Sequence, residues 1–399
     1  MGRSLRWTKD DLSPLRVSST MKTILKFGVC AVAPTGRYGD HDEVYFRGDS
    51  HPVIHHFNLG DILLLQRLSR QAAKVNIERA VTSPRTANRV ALTSLFPWIT
   101  TKVITDVLHQ EANGLARSGI VQLRKRLNRT EADVVFLAPD LASPDGHPAI
   151  WQKLLPHAVQ EAANFDITRI YADLPDQPLP IETFVQVGFT VFSRETVWRL
   201  SRPRATPDVW PDVRAQSPQD EWGLTLLYGR AVPKPVQQAE GALSDERGYR
   251  SPILQGWLPG ESVSFVLLAG DEIHGAMRIT QGERGVWLDL WLDPQFEPGQ
   301  LNQLIHFASS HLHRSGVSKP IYLGVRAYQG GMKEVLGDFG FAPVTDRVRL
   351  VKQVLAWAKV PQSQPVPALD VVREALPAAV PYPQAVGVGV GEASTRGRK

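Results

Sequence analysis

The segment Trp287-Leu288-Asp289-Leu290-Trp291-Leu292-Asp293 alternates strictly along its length. In an extended strand successive side chains point to opposite faces. Leu288, Leu290 and Leu292 therefore share one face, and Trp287, Asp289, Trp291 and Asp293 the other. A carboxylate set between tryptophans is partly desolvated, which favours taking up a proton, so Asp289 is a candidate general base. The simpler reading is a polar strand edge facing solvent or a partner. Arg326-Ala327-Tyr328-Gln329 follows a later strand. Tyr328 has a hydroxyl that could donate a proton, and Arg326 a guanidinium suited to phosphate or carboxylate; an ordinary polar loop is the alternative. Glu131 and Asp133 stand in a comparable place earlier in the chain, at a strand start where a solvated turn is expected. Tyr171 falls in mid-strand and reads as core, with Asp173 at that strand's end. Arg194 and Glu195 are accounted for by a cross-strand salt bridge.

Other chemistry is bounded by composition. The single cysteine, Cys30, gives neither a disulfide framework nor zinc-ligand spacing. The eleven histidines show no ligand spacing either. His55 and His56 are adjacent at a strand edge, and His311 and His313 point to different faces of a helix, so no metal is expected. The net charge of +5 comes partly from the two chain ends, and no dense Lys/Arg stripe with interleaved aromatics is present, so nucleic acid is not an expected partner. No run of about 18 apolar residues occurs, so no membrane span is expected and the reading is cytoplasmic. Met21–Ala33 has a faint signal-sequence look, but it is internal and interrupted; translation starting at Met21 is the other reading.

The elements that must position these residues occur twice. Around 134–200 the chain reads VVFLAP, AIWQKLLPHAVQEAANF, ITRIYADL, IETFVQVGF and TVFSRETVWRL. Around 286–357 it reads VWLDLWLDP, GQLNQLIHFASSHLHRSG, PIYLGV, GGMKEVLGDFGF and a last strand through Val348, Leu350 and Val354. Each copy is strand, Pro-containing loop, helix, strand, short helix, Gly-Phe, strand. A helix is predicted from Ile62 to about Ile77, then a Pro- and Thr-interrupted helical region over 81–101. Strands follow over Val103–His109 and Ser118–Lys125 around an Asn113-Gly114 turn. In the second copy Trp222–Tyr228 and Val236–Ala239 read as helical, and strands over Val263–Leu268 and Ile273–Thr280 flank Gly270. These readings divide the chain into a poorly ordered arm (1–50), two domains (51–202 and 203–358) and a disordered Pro/Gly-rich tail (359–399).

This order, with a short helix ending in Gly188-Phe189 and again in Gly340-Phe341, resembles the GNAT N-acetyltransferase superfamily in a tandem form. The resemblance implies an α/β fold of two GNAT-like domains, each a mixed, mostly antiparallel sheet flanked by helices. It also implies acetyl-CoA or another acyl-CoA as co-substrate, held by a glycine-rich loop at a helix N-terminus, and a small-molecule or peptide amine as acceptor. Carried onto the second copy, the cofactor residues are Trp291, Leu292, Gln295, Gly299, Gln300, Leu301 and Arg326, with Asp289 and Tyr328 as catalytic groups. The motifs depart from the family pattern. Ala149 and Trp151 occupy glycine positions in the first copy, Leu301 a glycine position and Phe296 the Arg/Gln position in the second, and Phe184 and Leu336 the usual tyrosine. The resemblance places acceptor pockets among residues 62–100 and 219–256.

Two functions of different class follow. One is acyl transfer to an amine, with the cofactor in the second domain. The other is a catalytically inactive binding or dimerisation module using the Trp-lined strand as an exposed interface.

Overall fold

The computed structural model describes residues 53–83, 103–112, 115–126, 129–205, 210, 212–242, 252–254 and 262–354. The expected arm and tail, the helical stretch beyond residue 83 and the Asn113-Gly114 turn lie outside the described residues.

The first copy opens with β1 (Val53–His56) and a 3-10 turn (Leu59–Asp61). The turn is closed by a capping box: the Asn58 side chain accepts from Gly60 N–H at 2.8 Å, and Asp61 accepts from Asn58 N–H at 2.9 Å. Helix α1 (Ile62–Ser69) follows and buries Leu65 and Leu68. The predicted continuation to Ile77 does not form. Ala73 N–H donates instead to Leu137 O (2.8 Å), and Gln71 O accepts from Asp140 N–H (2.6 Å). Asn76 then takes a left-handed conformation (φ 51) and caps α2 (Ile77–Thr82) through its side chain.

Strands β2 (Val103–Ala112), β3 (Leu115–Lys125) and β4 (Glu131–Ala138) run antiparallel in turn. Helix α3 (Pro148–Ala163), β5 (Arg169–Pro175), α4 (Pro178–Gln186) and β6 (Thr190–Leu200) complete the copy. The second copy repeats the order with β7 (Val213–Ala215), a 3-10 turn (Pro218–Asp220), α5 (Glu221–Ala231), α6 (Lys234–Ala239), β8 (Ser262–Ala269), β9 (Glu272–Gln281) and β10 (Val286–Leu292). Then come α7 (Pro298–Arg314), β11 (Ile321–Arg326), α8 (Met332–Phe339) and β12 (Ala342–Gln353). Gly188 (φ 86) and Gly340 (φ 99) end α4 and α8 in the positive-φ region, and Phe189 and Phe341 are buried just beyond, as the Gly-Phe pairs predict.

The twelve strands among the described residues form one sheet in the order β1-β2-β3-β4-β5-β12-β6-β11-β10-β9-β8-β7. It is α/β in class, mixed and mostly antiparallel, with two parallel pairs, β4–β5 and β10–β11. The copies exchange their last strands. β12 lies between β5 and β6, and β6 pairs with β11. The sequence boundary near residue 203 thus separates two repeats whose sheets are continuous.

Alternation sorts the faces. One face carries Val348 and Leu350 of β12, Leu200 of β6, and Leu288, Leu290 and Leu292 of β10, packed against α3, α4, α7 and α8. The other face is covered by α1, α5 and α2 over separate apolar clusters, with Trp291 beneath α5 and Trp287 beneath α2. Between those clusters it is charged.

Candidate functional site

Where β5, β12, β6 and β11 meet, register places charged residues side by side on this second face. Asp173 stands opposite Arg349, Arg347 opposite Glu195, and Glu195 opposite Arg326. The ion pairs follow: Arg347 Nε lies 2.8 Å from Asp173 Oδ1 and Arg349 Nε 2.8 Å from Glu195 Oε2. Glu240, just past α6, reaches in from above. Arg326 Nη2 is 2.7 Å from its Oε1, and Tyr228 O–H donates to its Oε2 at 2.5 Å. On the β4 side Arg126 holds Asp133 bidentately, through Nε at 2.9 Å and Nη2 at 2.6 Å, and also donates to Glu131 at 2.9 Å. Its guanidinium lies 4.3 Å from the centre of the Tyr171 ring. Desolvation opposes the Arg126 charge, but the Asp133 and Glu131 carboxylates outweigh it and hold the group firmly protonated.

These residues surround a cavity of about 40 Å³, lined chiefly by Asn76 and Glu78, Arg126 and Asp133, Tyr171 and Asp173, with Glu240 and Arg349 closing it. That volume suits about three waters or a small polar group. Burial pushes the Tyr171 phenol far above its ordinary range, so it is a hydrogen-bond donor and not an acid; it donates to Ala239 O at 3.0 Å. Asn76 and Glu78 come from one of the expected acceptor-pocket regions, and Glu240 and Pro252 from the other.

Several sequence expectations are corrected here. Glu131 and Asp133 are not in a solvated turn; both are buried and clamped by Arg126. The cross-strand salt bridge expected of Arg194 and Glu195 does form at Glu195, whose partner stands on the neighbouring strand β12. Arg194 meets Asp176 at 3.1 Å, while Glu195 faces Arg349. They are successive strand residues, so they point to opposite faces. Trp287 and Trp291 are buried at 1% and 9% exposure, which removes the exposed interface that the module reading placed on that strand. Trp291 instead lies 5.4 Å from the Arg278 guanidinium.

The predicted catalytic pair is not assembled as an acid and a base. Asp289 accepts from Trp287 Nε1 at 3.1 Å and sits in register with Arg278, as a counter-ion would. Tyr328 accepts from Arg326 Nη1 at 3.1 Å, and its phenol is raised by burial, against service as an acid. Arg326 is committed to Glu240. The other cofactor residues gather near the α7 N-terminus, but Leu292 and Leu301 are buried in the core.

Acyl-CoA needs two things from this architecture: a gap between splayed parallel strands, and a helix N-terminus open to phosphate. The gaps exist. β4–β5 pairing ends at Asp133–Tyr171 and β10–β11 pairing at Leu288–Leu323, short of the strand ends. In each copy a side chain of the chain itself bonds at the end of the first of these strands. In the first copy Trp151 is buried at the α3 N-terminus, donates to Pro139 O at 2.9 Å, and meets Phe184 edge-on at 5.8 Å. In the second, Gln329 Nε2 donates to Leu290 O at 3.1 Å across the gap. At the α7 N-terminus the Glu297 backbone carbonyl accepts from the Gln300 N–H at 2.9 Å, while Gln300 Oε1 accepts from the Glu297 N–H at 3.2 Å. The Glu297 carboxylate stands at the helix end where a pyrophosphate would need positive potential. Gln295 N–H is taken by Asp293 at 3.0 Å. A Cβ added at Gly299 would meet open space. The residues present do not fit a bound acyl-CoA.

The cavity residues that sequence reading missed are Arg126, Glu240, Asn76, Glu78 and Arg349, together with Arg347, which holds Asp173 from outside the lining. The one available signal was Arg347-Val348-Arg349-Leu350, whose alternation puts two guanidiniums on one strand face.

No family model and no curated protein matches the chain. Solved structures do resemble it. A GCN5-related N-acetyltransferase from Sphaerobacter thermophilus is 14% identical, covering 76% of this chain and 96% of its own, with a TM-score of 0.43. A tandem GNAT protein from the clavulanic acid biosynthesis pathway is 16% identical, covering 76% and 99%, at 0.42. A putative acetyltransferase from Pyrococcus horikoshii is 12% identical, covering 80% and 94%, at 0.42. At these identities and scores the likeness says nothing about chemistry.

Proposed function

We propose that the chain is a binding module of tandem acyltransferase shape, and that its working site is the cavity at the seam between the two repeats. The observation that carries this is the lining. Buried charged groups from both repeats converge on a space large enough for a small polar group, while the chain's own side chains bond at the splayed ends of both strand pairs. Lining carboxylates (Glu78, Asp133, Asp173, Glu240) outnumber lining guanidiniums (Arg126, Arg349), and Arg347 and Arg326 hold Asp173 and Glu240 from outside the lining. The ligand class that suits them is an amine, taken as its ammonium group.

Thermal-shift and titration measurements with small primary amines test this. Binding that weakens at least about tenfold in Glu240→Gln supports it. A protein indifferent to every amine at millimolar concentration overturns it.

The second reading is acetyl transfer from acetyl-CoA to such an amine in the second repeat. It is favoured by the splay of β10 from β11 and the open space at Gly299. Calorimetric titration with acetyl-CoA decides: binding that Gly299→Trp abolishes restores the enzyme reading, and absence of binding at millimolar ligand removes it.

A further inference from the structure

At the other end of the sheet, β1, the 3-10 turn after it and β2 bring together His55, Asp61 and His109. Their donor atoms all lie within 4.8 Å of one another. His55 Nε2 is 3.1 Å from Asp61 Oδ2, and His109 Nε2 is 3.4 Å from Asp61 Oδ1. The two imidazoles are stacked, 5.4 Å between centroids and 7° between planes, so both aim the same ring edge at one carboxylate. Pairing of Val53 with His109 and of His55 with Val107 fixes the two histidines as diagonal neighbours on one face. Asp61 is 5% exposed and anchored by the Asn58 N–H, and His109 Nδ1 faces Ser118 Oγ at 3.4 Å, the kind of outer contact that orients a ligating imidazole.

The second repeat supplies an internal control. Its equivalent turn has the same capping box, from Ser217 and Asp220, and a buried Asp220. There Arg214, six residues earlier as His55 is in the first repeat, satisfies the carboxylate bidentately at 2.6 and 2.7 Å. The buried aspartate of this turn takes a positive partner. In the first repeat the arginine is replaced by two imidazoles.

We propose that His55, Asp61 and His109 bind a divalent first-row transition ion, zinc in the first instance. Ligand bonds of about 2.0–2.2 Å in tetrahedral geometry space the donors by roughly 3.3–3.5 Å. The His109 to Asp61 Oδ1 separation of 3.4 Å falls in that range, and the His55 to Asp61 Oδ2 separation of 3.1 Å lies just below it. His109 is about half exposed, so solvent supplies the fourth ligand. The site ties the edge strand β1 to β2 and to the start of α1.

The test uses the tag-free full-length chain, stripped with chelator and titrated with Co²⁺. One equivalent should bind with the visible absorption of a four-coordinate ion, be displaced by Zn²⁺, and weaken at least about tenfold in both His55→Gln and His109→Gln. Zn²⁺ should raise the unfolding midpoint of the wild type but not of the double variant. His56→Gln, on the opposite strand face, should bind as the wild type does. Absence of saturable binding, or binding unchanged in both ligand variants, overturns the proposal.

Discussion

Arg126 bears the largest electrostatic responsibility of any single residue in the cavity wall. It neutralises two buried carboxylates and supports the Tyr171 ring. Arg126→Met takes away the bidentate partner of Asp133 and one partner of Glu131, and should cost about 3–5 kcal/mol in urea unfolding, as for other broken buried ion pairs. Its importance could not be read from sequence, because the basic run Arg124-Lys125-Arg126 at the end of a strand looks like surface. Only the fold shows that Glu131 and Asp133, five and seven residues on, bend back to it. The alternation in β10 was legible, and the structure puts its leucines and tryptophans on opposite faces as predicted. What it did not reveal is that the tryptophan face is covered by α2 and α5, so that Asp289 meets Trp287 and Arg278 instead of a substrate.

The 3-10 turns that open the two repeats show what a whole element contributes. In the second, Asp220 is held down to about 2 by the hydrogen bonds of Arg214, with Ser217 adding its N–H and hydroxyl. A carboxyl depressed on folding stabilises the native state above its ordinary value of 3.8 and loses that contribution as pH falls from there toward about 2. Asp220→Asn should therefore cost about 1 kcal/mol at neutral pH, the partial exposure of Arg214 keeping the effect small. The gap between variant and wild type should close across that acid window when unfolding is followed by circular dichroism. Such turns are hard to see in sequence. Ser217 and Asp220 are ordinary loop residues until the following helix defines them as caps, and the α1 prediction overran for the related reason that Gln71 and Ala73 bond to the β4 region. The Gly-Phe pairs were legible because a positive φ leaves a direct residue signature.

The repeat was legible at the scale of the whole molecule; the exchange of last strands was not, because periodicity orders strands along the chain and says nothing about which sheet edge each one joins. The exchange predicts that residues 51–202 expressed alone will not be a stable monomer. They lack β12, and their β6 lacks β11. Two copies could complete each other in the order β5, partner β6, β6, partner β5, so a fragment that folds should sediment as a dimer. A well-folded monomeric fragment would contradict the continuity of the sheet.

The same exchange sets a timetable on the ribosome. The first repeat is fully translated by Leu200, yet the strand that must lie against its β5 ends at Gln353, about 150 residues later. At ordinary elongation rates that is roughly ten to thirty seconds in which β5 presents an unpaired edge beside nascent chain. Completion of the first half waits for the last described strand to emerge, so a ribosome stalled before that point would hold out an open sheet edge for capture by a chaperone or by a neighbouring copy of the same chain.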